Sequence, residues 1–290
     1  MARIIAMDEV GNFESRNQGV RFIGGFVYNT DYELTKKHLE TFLIELCNEA
    51  NETIKNSHID YNVLYPDSLH GSGNVYFREL EENGNKQWQP VPREECKVET
   101  EVFKKFIQEK VMGYLKNIND LKIFVYLDPY TGGGYDDLGE NSNITDMSQG
   151  SNRYERMALQ AIYHKIFYTF DEEPDEYIFE IATRSLPKKN VVENEMYSET
   201  NGMMSITNTS TYKTAISTTL YDKGMKSNAK YVFHVAPINY FNSSKYPTTP
   251  YTYLADIVCT YLRGIMQKQF NLGGSTAENV ITSEGLCELI

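Results

Sequence analysis

Apolar residues recur along this chain in two rhythms, one of strands and one of helices. Residues 2–8 (Ala-Arg-Ile-Ile-Ala-Met-Asp) form a short apolar run ending in an acid, and Arg21-Phe22-Ile23-Gly24-Gly25-Phe26-Val27-Tyr28 forms another. Runs of this length predict buried strands. Glu9-Val10-Gly11-Asn12 reads as a turn, and the tight connection predicts an antiparallel pair. Asn29-Thr30-Asp31 then offers helix caps, and residues 32–55 carry Leu34, His38, Leu39, Phe42, Leu43, Leu46 and Ile54 at helical spacing. Residues 95–116 predict a second helix, with Val98, Val102, Phe103, Phe106, Ile107, Val111 and Tyr114 on one side. Residues 152–170 predict a third and residues 211–223 a weak, Thr-rich one. The clearest helix spans 251–270, where Leu254, Ile257, Val258, Tyr261, Leu262 and Ile265 make one apolar stripe.

Further strands are predicted at Leu121–Asp128, Tyr177–Ile181 and Ala229–Ile238, with a short one near Asn74–Leu80 inside an otherwise irregular stretch, 56–93. Residues 130–150 and 185–210 are polar loops. Two hairpin strands followed by helices alternating with buried strands predict an α/β fold, a mixed sheet covered by helices. No linker divides the chain, so the expectation is one domain over 1–290, with insertions near 56–93, 129–150 and 185–210.

The 290 residues are 41 % apolar and 23 % charged, ordinary for a globular chain and unlike a disordered one. The net charge of −12 repels a polyanion over most of the surface. A nucleic acid would need a bound cation or a local basic strip. Residues 184–230 are one candidate strip, with an excess of three positive charges, although a solvated loop accounts for that excess equally well. No apolar run approaches the roughly 20 residues that cross a bilayer. Ile4-Ile5-Ala6-Met7 is too short for a signal-peptide core, so a cytoplasmic protein without a membrane partner is expected. Cys47, Cys96, Cys259 and Cys287 lie far apart without a CxxC, which predicts scattered thiols rather than disulfides or a thiolate zinc site.

Three carboxylates stand at the ends of elements: Asp8, Asp128 and Asp256. By strand alternation Asp8 follows Ile4 and Ala6, and Asp128 follows Phe124 and Tyr126, so each closes an apolar row at the edge of a core. Asp256 points away from the stripe of its helix, toward either solvent or a polar cleft against the sheet. A desolvated carboxylate needs a partner, and a hard divalent cation is one. Each Asp taken singly is also ordinary turn or helix-start chemistry. His58 with Asp60 is a weaker metal pair, and Gly132-Gly133-Gly134 lacks the GK[ST] of a phosphate loop. The chain has no GxSxG elbow, no GxGxxG after a strand and no HExxH, which leaves acyl transfer, hydride transfer and zinc peptidase chemistry without support.

Taken together, these segments resemble the DUF3800 family. Ile4-Ile5-Ala6-Met7-Asp8-Glu9-Val10-Gly11 is similar to its opening strand and Asp-Glu-Ser-Gly, and Phe22–Val27 resembles its second strand. Leu69-His70-Gly71-Ser72 resembles its His segment, Phe124–Asp128 its central strand, and Tyr253-Leu254-Ala255-Asp256-Ile257-Val258 its closing Leu-Ala-Asp motif. The order of matches follows the family across nearly the whole chain. The resemblance implies an RNase H-like fold in which Asp8, Asp128 and Asp256 converge to hold Mg²⁺ or Mn²⁺. It further implies a nuclease hydrolysing phosphodiester bonds of DNA or RNA with a metal-activated water. Glu9 would supplement the ligands or orient that water, and His70 would contact phosphate or shuttle a proton. Three positions depart from the pattern: Val10 replaces Ser, Tyr253 replaces Gln, and Thr183 stands where the family strand carries an acid. Glu180, three residues before Thr183, should face the other way. The alternative expectation is therefore a catalytically degenerate member acting as a binding or assembly subunit with a protein partner in a larger complex.

Overall fold

The computed structural model describes residues 2–11, 22–56, 60–69, 76–82, 84–127, 161, 174–183, 230–237 and 249–271. Its strands are β1 (Ala2–Val10), β2 (Phe22–Thr30), β3 (Phe77–Glu82), β4 (Asn85–Pro90), β5 (Lys122–Leu127), β6 (Glu176–Thr183) and β7 (Lys230–Pro237). Its helices are α1 (Tyr32–Asn56), α2 (Lys97–Lys116) and α3 (Pro250–Asn271). Five strands make one mixed sheet in the order β5-β2-β1-β6-β7. β2 is antiparallel to both β1 and β5, whereas β6 runs parallel to β1 and to β7. β2 therefore runs alone against the other four.

The sheet has two apolar faces, and alternation assigns them. Ile4 and Ala6 of β1 share a core with Phe26 and Tyr28 of β2, Ile123 and Val125 of β5, and Ile178 of β6. Met7, Ile23, Phe124 and Phe179 occupy the opposite rows and are fully buried as well. On the first face lies α3, which packs on β1, β2 and β6 and also meets α1 and α2. Enclosed in this way, α3 is buried from Pro250 to Cys259 on every side, not along a single stripe. α1 starts at Asp31, whose Oδ1 accepts the Leu34 amide at 2.9 Å and caps the first turn.

Several boundaries differ from the expected ones, each for a physical reason. β1 does not turn at Glu9: Glu9 and Val10 stay in the ladder opposite Ile23 and Phe22, and Gly11 follows them. The stretch 56–93 holds a hairpin, β3 with β4, joined across Gly84 at positive φ. β4 has no apolar alternation because all of its residues are exposed, so periodicity could not find it. On α2 the buried side runs through Thr100, Phe103, Ile107, Val111, Met112 and Leu115. Val98 and Val102, placed on that side by the sequence, are 72 % and 63 % exposed. They sit on a shoulder of the stripe that α1 and α3 do not reach. Leu34, at the start of α1, is exposed as well. The helices expected over 152–170 (Ala161 apart) and 211–223 lie outside the described residues, as do most of the candidate basic strip and the loops 130–150 and 185–210.

Candidate functional site

β1 carries Asp8 on the face that packs against α3, two residues beyond Ala6 and directly opposite Gly24 of β2. α3 brings Asp256 to the same end of the strand. Asp8, Glu9 and Asp256 are each only 6 % exposed. Burial pushes the Asp8 carboxyl well above the usual carboxylate range, and the charges of Glu9 and Asp256 push it further. What opposes this rise is the Glu9 amide, which donates to Asp8 Oδ1 at 2.8 Å. The helix-wheel question about Asp256 is thereby answered: its side chain faces an enclosed carboxylate cluster, not open water.

Cys259, one turn beyond Asp256, lies in the same cluster. Its thiol donates to the Asp8 carbonyl at 3.7 Å. Its own ionisation is pushed well up by burial and then by the charges of Asp8, Asp256 and Glu9. Sequence inspection grouped this cysteine with scattered thiols, and Cys47, Cys96 and Cys259 are indeed free and buried. The missed signal was its i, i+3 spacing from Asp256, which puts both on one side of the helix. Gly24 completes the wall. A β-carbon on it would stand 3.2 Å from Cys259 Sγ and 3.1 Å from the Phe22 ring.

The rows also separate the acids. Glu9 is in register with Ile23, which in turn faces Tyr126 of β5. The row of Phe124 and Tyr126 is thus the row of Glu9 and not that of Asp8. Asp128 and His70 themselves lie outside the described residues, as does His58.

Glu180 falls on the Asp8 face, in register with Ala6, but it does not join the cluster. It is fully buried and accepts hydrogen bonds from Tyr32 Oη and, at 2.7 Å, from Thr249 Oγ1. Thr249 and Thr252 close the first turn of α3 on each other, with the Thr249 amide donating to Thr252 Oγ1 at 3.0 Å. Tyr251 stacks on Tyr32 at 5.2 Å between ring centroids and donates its hydroxyl to the Tyr32 carbonyl. Glu180 therefore ties the starts of α1 and α3 to β6. It does not replace the acid that the resemblance expects at Thr183.

Among the described residues, no three His, Cys, Asp or Glu side chains are grouped as a ready cage for a metal ion. That does not conflict with the hard oxygen donors found here, because Mg²⁺ is commonly held by one or two carboxylates while keeping several waters. Asp8 and Asp256 offer oxygen donors whose mutual repulsion such an ion would neutralise. No helix among the described residues is long and apolar enough to cross a membrane. No family model, curated protein or solved structure matches the chain.

Proposed function

We propose that this protein is a divalent-metal-dependent nuclease of RNase H-like fold that hydrolyses phosphodiester bonds in nucleic acid. One observation carries the reading: Asp8 and Asp256, from the first strand and the last described helix, are both buried and close enough that burial first, and then the charges of Glu9 and Asp256, raise the Asp8 carboxyl. The mixed sheet supports the fold part of it, with β1 central and β2 alone reversed.

Asp8 and Asp256 would hold Mg²⁺ or Mn²⁺, with Asp128 added by the resemblance alone. The bound ion would supply Lewis acidity toward phosphate and lower the pKa of a coordinated water. The chain's own groups do the rest. Asp8 is held in place by the Glu9 amide. Glu9 would orient a water, and His70 would contact phosphate or move a proton. A polyanion approaching a protein of net charge −12 would need this local neutralisation to bind at all.

The test is hydrolysis of single- and double-stranded DNA and RNA with Mg²⁺ and with Mn²⁺. We expect cleavage that Asp8→Asn and Asp256→Asn each abolish while the fold is kept. Thr183 at the end of β6, with Glu180 committed elsewhere, favours a second reading. In that reading the fold persists as a binding or assembly subunit without catalysis. Wild-type silence on every substrate, together with calorimetry showing no Mn²⁺ binding, decides for it.

A further inference from the structure

We infer that the contact between Gly24 and Cys259 sets how closely α3 brings Asp256 to Asp8, making these two the positioning residues of the carboxylate cluster. Gly24 is the residue of β2 directly opposite Asp8. Its missing side chain leaves a gap on the α3 face, and Cys259 Sγ fills it, so near that a β-carbon on Gly24 would stand 3.2 Å away. That distance is tighter than ordinary carbon–sulfur contact, so one of the two elements would have to give. The Phe22 ring, at 3.1 Å from the same β-carbon, closes the other direction of escape. Cys259 also donates to the Asp8 carbonyl at 3.7 Å, so the sulfur touches both strands of the β1–β2 pair beside the acid.

Asp256 and Cys259 lie on one side of one helical turn. Lifting Cys259 off Gly24 therefore lifts Asp256 away from Asp8. The neighbouring glycine shows that this role belongs to Gly24 in particular. Gly25 is required by its own strand pair, since a β-carbon there would stand 1.9 Å from the Ala6 carbonyl oxygen. At Gly24 the obstruction comes from the helix and from a side chain of its own strand. Cysteine suits the helix position because it is small and apolar enough to enter the gap.

The link to metal affinity rests on the function proposed above; the spacing of the two acids does not. The experiment compares Gly24→Ala, Cys259→Ala and the double variant by crystal structure and by Mn²⁺ titration calorimetry. We expect Gly24→Ala to widen the Asp8–Asp256 separation and weaken Mn²⁺ binding at least tenfold. Removing Sγ takes the helix out of the contact and leaves only the Phe22 ring at 3.1 Å, so the double variant should recover most of the lost Mn²⁺ affinity. If Gly24→Ala does not fold, recovery of folding in the double variant supports the contact, and its failure overturns it. An unchanged carboxylate separation in folded Gly24→Ala overturns the inference, whatever the metal result. Wild-type protein that binds no Mn²⁺ overturns the proposed metal site alone, and the crystallographic separation then decides the spacing claim.

Discussion

Two buried acids, Glu180 and Asp8, lie on the same face of the same sheet about two residues apart in register, yet their surroundings are opposite. Glu180 accepts from the hydroxyls of Tyr32 and Thr249 and joins two helix starts to the sheet. Asp8 receives the amide of its own neighbour and sits against Glu9 and Asp256, which repel its charge. A carboxylate supplied with hydroxyl donors contributes to holding the fold. A carboxylate crowded by like charge makes the metal-free fold less stable, and such crowding is concentrated at functional sites. The contrast gives Glu180 a structural part and leaves Asp8 as the acid on which the proposed chemistry rests, although burial alone would not distinguish them.

Breaking the frame shared by both regions should have the largest effect. Gly25→Ala drives a methyl into the Ala6 carbonyl at a backbone φ of +153°. We expect a loss of at least about 3 kcal/mol in urea unfolding, or no folded protein. Next comes Glu180→Ala, which strips the acceptor from Tyr32 and Thr249 and should cost about 2–4 kcal/mol. Glu180→Gln, which keeps the shape and one acceptor oxygen, should cost about half as much. A loss below about 0.5 kcal/mol in Glu180→Ala would erase the contrast from the structural side.

On the Asp8 side, Mn²⁺ at a hundredfold excess over its Kd should stabilise the wild type by about 2.7 kcal/mol and leave Asp8→Asn unmoved in the same titration. Without divalent ions the sign reverses. The folded state raises the Asp8 carboxyl, so between its unfolded and folded pKa values the native state holds more protons. Its contribution to stability therefore falls as pH rises above the ordinary carboxylate range. Asp8→Asn removes that loss, so unfolding in EDTA at pH 8 should show the variant more stable by about 1 kcal/mol, with a flatter pH profile. The smallest effect serves as the control. Lys110 pairs with Glu49 between α2 and α1 with both side chains half-exposed, and Lys110→Ala should change stability by less than about 0.5 kcal/mol.

Much of the frame was legible in the chain. The alternation through Ile4, Ala6 and Asp8 gave the acid its face, but the apolar row does not end there: Val10 continues it, buried opposite Phe22. The ranges expected for α1, α2 and α3 lie within two residues of those observed. Where reading failed, the missing information was not local. Every residue of β4 is exposed, so the strand carries no pattern. Val98 and Val102 fit the α2 stripe but lie where no partner arrives. Glu180 lies on the face of Ala6 and Asp8 by alternation, yet its hydroxyl donors come from Tyr32 and Thr249, which no spacing in the sequence connects to it.

The sequence by itself determined most of the stretches that become strands and helices, and which side chains each row presents, because these follow from periods of two and 3.6 residues over a few neighbours. Only the tertiary structure decided which acids meet. That Asp256 faces Asp8, that Cys259 fills the space above Gly24 and that Glu180 belongs to another network depend on how α3 seats on the sheet. The packing of complementary surfaces sets that seating, and those surfaces exist only once distant segments have come together.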